Sequence, residues 1–113
     1  MTDRARDDSF DTYQRDASRT ANPTLDADAQ LLDAAAGLAE ESGEVLALIR
    51  KHVFQRRPLH DDRLRDELGD ALWCIAALAT ARRISLGDIA RRNVEKLRER
   101  HPTGFSPPPE RTG

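Results

Sequence analysis

The sequence predicts an all-α chain, a short leading helix and three longer ones packed as a four-helix-bundle-like fold. Three observations carry this. Apolar residues recur at three- and four-residue steps: Leu31, Leu32, Ala35 and Leu38, then Val45, Leu46, Leu48 and Ile49, then Leu64, Leu68, Leu72, Ile75 and Leu78. Aromatic residues make up only 4% of the 113 residues, which suits alanine- and leucine-rich helices better than sheet. Helix punctuation also falls between the periodic stretches, with capping residues before them and prolines after them.

Taken in order, Met1 to Asp7 is polar and reads as a frayed end. Asp8 or Ser9 caps a short helix running to about Thr20, with Phe10, Tyr13 and Ala17 on one side. Ala21-Asn22-Pro23 ends it, because proline restricts its predecessor and has no N–H to donate. A second helix starts near Asp26 or Asp28 and runs to about His52. Arg50 and Lys51 near its C-terminus complement the helix dipole; Lys51, two turns beyond Glu44, is also placed to meet a phosphate.

Val53 to His60 is a connector short enough to join antiparallel neighbours. Asp61 or Asp62 caps a third helix ending near Arg83. Ser85-Leu86-Gly87-Asp88 has the form of a capping box with Asp in place of Glu. The fourth helix runs to about Arg100 and is expected to bury Leu86, Ile89, Val94 and Leu97, with Asn93, Lys96 and Arg100 along one polar stripe. Pro102 and Gly104 stop it. Residues 106–113, with three consecutive prolines, read as a flexible tail after one domain over residues 9–105.

The chemistry concentrates at Glu40-Glu41-Ser42-Gly43-Glu44 and Glu67-Leu68-Gly69-Asp70. Residues three apart share a helical face, so Glu41 pairs with Glu44 and Glu67 with Asp70. If the two helices pack side by side, four carboxylates converge, and their mutual repulsion and desolvation call for a hard divalent cation. No His or Cys has the spacing of a zinc site. An E-x-x-E pair is ordinarily a solvated surface feature. These two differ in flanking apolar stripes and in sharing the pattern E-x-G-[DE]-x-L-x-x-I. Glycine costs a helix about 1 kcal/mol relative to alanine. Gly43 and Gly69 therefore signal a need for space, either for close helix packing or for metal and phosphate.

Glu40-Glu41-x-x-Glu44, followed after 22 residues by Glu67-x-x-Asp70, resembles the MazG-like nucleoside triphosphate pyrophosphohydrolases. Tyr13-Gln14, Arg19-Thr20, Gly37-Leu38-Ala39, Leu72-Trp73, Asn93-Val94-Glu95-Lys96-Leu97-Arg98 and Arg100-His101-Pro102-x-Gly104-Phe105 extend the resemblance over roughly residues 10 to 105. It implies hydrolysis of (deoxy)nucleoside triphosphates to monophosphate and pyrophosphate, in the service of nucleotide-pool house-cleaning. Glu41, Glu44, Glu67 and Asp70 would be ligands to Mg²⁺, for which Mn²⁺ can substitute. Glu40 or Glu41 would handle the water, and Asn93, Lys96 and Arg100 the phosphates or sugar. Gln14, on a helix closing over the nucleotide, would be a base or ribose contact. Trp73 is either a core anchor or a base-stacking ring. The resemblance further implies a homo-oligomer, dimer or tetramer, with sites near subunit interfaces. Phosphoribosyl-ATP pyrophosphohydrolysis and a non-catalytic helical interaction module are the alternatives.

Composition is consistent with this. A net charge of −2 with 34% charged residues argues against a general nucleic-acid binder. No apolar run approaches the ~18 residues of a membrane span, and no signal peptide is evident, so a cytoplasmic enzyme is expected. The single cysteine, Cys74, lies in an apolar stretch and reads as a small buried hydrophobe.

Overall fold

A computed structural model describes residues 9–108. It has four helices and, among the described residues, no strand: α1 (Ser9–Ser18), α2 (Ala27–Gln55), α3 (Asp61–Ala81) and α4 (Leu86–Arg100). The expected residues 1–8 and the last five of the expected tail lie outside the described part. No helix among the described residues is long and apolar enough to cross a membrane.

Local chemistry explains most boundaries. Asp26 caps α2, its carboxylate accepting from the Ala29 N–H at 2.8 Å. The helix continues past the expected His52 to Gln55 and ends where Arg56 turns left-handed at φ 54°, its N–H reaching the Lys51 carbonyl. The N-cap of α3 is His60, not Asp61 or Asp62, and no side chain caps it. The two aspartates occupy the first turn instead, where they complement the helix dipole. Ser85 caps α4, accepting from the Asp88 N–H at 3.0 Å. Asp88 does not complete a box with Ser85; its carboxylate pairs with Arg91.

The long helices α2 and α3 form the body of the fold, joined by the short turn that makes them antiparallel. Their seam is built from small side chains: Ala34, Cys74, Ala76 and Ala79 are buried. Gly37 sets the closest approach, since a Cβ there would stand 2.9 Å from the Cys74 sulfur. Gly43 and Gly69 do not serve close packing, because a Cβ at either would meet nothing within 4 Å.

Helix α1 packs on α3 and α4. It holds α4 by the N-terminus: Asp11 accepts from Ser85 Oγ at 2.7 Å and from the Gly87 N–H at 3.0 Å. Gln14 Oε1 accepts from the Leu86 N–H at 2.8 Å. Together with Ser85, these groups satisfy the first three N–H groups of α4, which its own backbone cannot.

Beyond that anchor α4 departs from expectation. Leu86 is buried, but Ile89, Val94 and Leu97 are 40%, 43% and 45% exposed. Amphipathic spacing marks an apolar face without saying what covers it, and α4 makes its main contact with the short α1. After α4, His101 stacks on Phe105 with ring centroids 6.0 Å apart. Its Nδ1 also accepts from the Ser106 N–H at 3.1 Å, so the chain folds back at residue 106.

Candidate functional site

Antiparallel packing brings the two acid pairs together. Ligand oxygens of Glu41, Glu67 and Asp70 all lie within 4.8 Å of one another. Glu67 is buried, Glu41 half-buried and Asp70 exposed, so the cluster spans the wall and mouth of the α2–α3 groove. Glu41 Oε2 and Glu67 Oε2 are both buried and without a hydrogen-bond partner. Arg63 Nε stands 3.7 Å from Glu67 Oε1, but Arg63 is mostly exposed, so this contact offsets little of the buried charge.

Glu44 joins the cluster through Glu67. Hydrogen bonding to the Glu67 side chain, then the Glu67 charge and burial, push its carboxyl above the ordinary range; Asp70 adds to the push and Arg63 opposes it. Burial, aided by Glu41, Asp70, Asp33 and Glu40, likewise raises the Cys74 thiol. Cys74 is therefore a packed neutral group and not a ligand in waiting. Glu40 is exposed and outside the three-carboxylate group.

These residues fit a divalent cation. Buried carboxylate oxygens with no hydrogen-bond donor are costly, and here two of them sit in a donor set made wholly of oxygen, the set Mg²⁺ and Mn²⁺ favour.

The other predicted residues fall in three places. Tyr13 is half-buried beside α3, its hydroxyl raised above the ordinary range by burial, then by the charge of Asp70. That puts α1 over the acid-bearing end of the groove. Gln14 is engaged within the chain: besides accepting from Leu86, its amide donates to Thr80 Oγ1 at 3.1 Å and to the Ile84 carbonyl at 2.9 Å. Trp73 donates its indole N–H to Thr20 Oγ1 at 2.8 Å and to the Ala17 carbonyl at 3.2 Å, which fastens the α1–α2 connector onto α3. Its ring walls a small cleft with Ala17, Ala21, Ala34 and Ala77. Asn93, Lys96 and Arg100 are exposed along α4, and Lys51 is exposed near the end of α2.

Sequence reasoning missed Asp11, which holds α4, and Asn22, Gln30 and Asp33, which line the Trp73 cleft. Asp33 lies two turns before Glu41 on α2 and carried a signal only in retrospect, as an acid beside the buried Ala34.

Fold and site together define a small helical protein whose central helix pair presents an unneutralised carboxylate cluster. Residues 30–105 match the MazG nucleotide pyrophosphohydrolase domain, and the chain belongs to that family. The match begins within α2, so α1, with Tyr13 and Gln14, lies outside it. The chain is also 32% identical over 72 residues to the Gene 37 protein of Mycobacterium phage L5, an alignment covering 60% of this chain and 63% of that relative. The chain thus spans less than two thirds of the phage protein's length. No solved structure matches significantly.

Proposed function

We propose that this chain hydrolyses (deoxy)nucleoside triphosphates to the monophosphate and pyrophosphate in the cytoplasm, removing unwanted nucleotides from the pool. Membership of the MazG family supports the reaction class. The observation that carries the site is the pair of unpartnered, buried oxygens on Glu41 and Glu67 within one cation's reach of Asp70.

Glu41, Glu44, Glu67 and Asp70 would hold Mg²⁺, with Mn²⁺ as a substitute. When bound, the metal neutralises the polyphosphate and polarises the reacting phosphoryl group. The chain's own residues do the rest. Glu41, with the exposed Glu40 just before it on α2, orients the water and accepts its proton. The water opens the α–β anhydride, and the monophosphate and pyrophosphate leave. Trp73 and its cleft receive the base, while Lys96, Arg100, Asn93 and Lys51 neutralise or orient the phosphates and sugar.

The active unit is a homo-oligomer. Leu32, Leu46 and Val53 lie at multiples of seven residues along α2, so they share one face, and are 72%, 58% and 58% exposed, while α4 bares Ile89, Val94 and Leu97. A chain of this size gains by covering such faces with a second copy, because large contiguous apolar patches are rare on monomers. The basic stripe of α4 would then act at a site shared between copies.

The test is product analysis. With Mg²⁺ and a panel of (d)NTPs, monophosphate and pyrophosphate should form, and Glu44→Gln and Asp70→Asn should each abolish turnover. Diphosphate plus orthophosphate would place the cleaved bond elsewhere, and no turnover with either metal would reject the hydrolase reading.

A further inference from the structure

The cleft beside Trp73 has a chemical bias that bears on which base it accepts. It measures about 50 Å³, several times the space a single water needs, and lies between the end of α1, the α1–α2 connector, α2 and α3. Trp73 forms one wall, and Ala34 and Ala77 keep the others flat and shallow. Such a slot admits the edge of a planar ring.

Its polar lining consists of Ser18, Asn22, Gln30, Asp33 and Thr80; the Ser18 hydroxyl donates to the Arg15 carbonyl and Thr80 Oγ1 accepts from Gln14. Asn22 Oδ1 is already spent on Thr24, accepting from its N–H at 3.0 Å and its Oγ1 at 2.7 Å. Only the Asn22 amide donors remain. Gln30 Nε2 donates to the Leu25 carbonyl at 3.2 Å, which leaves its oxygen and one N–H. Asp33 has no hydrogen bond or ion pair among the described residues, and an ionised carboxylate only accepts. Its charge also reaches Cys74, so it bears on the α3 side of the cleft. The unspent groups therefore include both donors and acceptors, and Asp33 is the one charged group among the residues lining the cleft.

We infer that Asp33 is a specificity-determining residue, and that the cleft selects nucleotides whose base carries an exocyclic amino group over those that present a keto oxygen at the same position. The amino group donates to Asp33, while a keto oxygen there would face a carboxylate with no proton between them. The Asn22 amide can donate to the adjacent ring nitrogen. Spacing agrees: Asp33 precedes Glu41 by eight residues, about 12 Å along a helix, which leaves room for a sugar between the base cleft and the acids.

This inference rests on the proposed nucleotide site, and matched pairs test it. dCTP against dUTP, and dATP against dITP, each exchange an amino group for a keto oxygen on an otherwise similar ring. The amino member should be favoured in kcat/KM by roughly tenfold or more, the scale of one hydrogen bond to a charged group. Asp33→Asn should bring both ratios close to one, because an amide can turn either a donor or an acceptor to the base. Mg²⁺-induced thermal stabilisation of Asp33→Asn, equal to that of the unaltered chain, would show its fold and acid cluster intact. Binding of dCMP against dUMP, followed by Trp73 fluorescence, reads the same preference without turnover. If no triphosphate is cleaved, the hydrolase reading fails, and the monophosphate pair still decides the cleft's preference. Equal handling of amino and keto partners, or discrimination that survives in Asp33→Asn, would overturn the role of Asp33.

Discussion

Glu41 and Glu67 meet across the α2–α3 groove, each with one carboxylate oxygen buried and lacking any donor. Neither helix alone creates this arrangement. It arises because Gly37 and the alanine-rich seam let the helices approach closely, and because the acids lie further along the same groove.

The first prediction concerns the cost of that meeting. In the metal-free protein, Glu67→Gln should raise stability by about 1–2 kcal/mol, since it removes a buried charge whose ion pair with Arg63 is long. The same substitution should abolish the rise in Tm that Mg²⁺ produces in the unaltered chain. Thermal unfolding with and without Mg²⁺ checks both halves, and a destabilised Glu67→Gln would mean that the groove does not carry the strain assigned to it.

The second concerns the seam. Gly37→Ala presses a methyl group against the Cys74 sulfur, whereas Gly43→Ala adds one in open space. Gly43→Ala should gain up to about 1 kcal/mol from helix propensity. Gly37→Ala should be less stable than Gly43→Ala by about 1–2 kcal/mol. Adding Cys74→Ala to Gly37→Ala should remove most of that gap, and denaturant unfolding of the set measures it.

The acid cluster was legible in the sequence because helical spacing alone puts Glu41 with Glu44 and Glu67 with Asp70, and a short connector makes the helices antiparallel. The α1–α4 anchor was not. Asp11 and Gln14 reach partners more than 70 residues away, and nothing in a polar ten-residue helix marks which of its side chains will do so. The burial of α4 was misjudged for a related reason. Ile89, Val94 and Leu97 fall on one face, but periodicity does not reveal whether the same chain or another covers it. Glycine was ambiguous as well: Gly43 and Gly69 drew notice by their place in the motif, while the packing contact belongs to Gly37.

The third prediction follows from Trp73. It is the only tryptophan in the chain, and it ties the end of α1 at Ala17 and the connector at Thr20 to α3 while walling the cleft. Triphosphate added without metal, so that no turnover intervenes, should change its emission saturably. Trp73→Phe should cost about 1 kcal/mol through the lost indole hydrogen bonds and should raise KM more than it lowers kcat. An emission unaffected by any nucleotide would remove the base from this cleft.

The last prediction concerns pH. The Gly87 N–H and then the Ser85 hydroxyl hold the Asp11 carboxyl below its usual value of 3.8; Arg91 and Arg15 assist, and burial opposes them. A carboxyl depressed in the folded state binds its proton more tightly once unfolded, so its contribution to stability is complete above pH 3.8. That contribution is lost as the pH falls through the lower folded-state value. Asp11→Asn keeps one acceptor but removes the titration. It should therefore be less stable than the unaltered chain near neutrality, with the difference shrinking once the pH is taken well below 3.8. Amide exchange at Leu86, Gly87 and Asp88 localises the effect, because these N–H groups open when the N-terminus of α4 lets go of α1. A stability difference that stays constant down to the acid limit would mean that Asp11 holds α4 through packing and not through its charge.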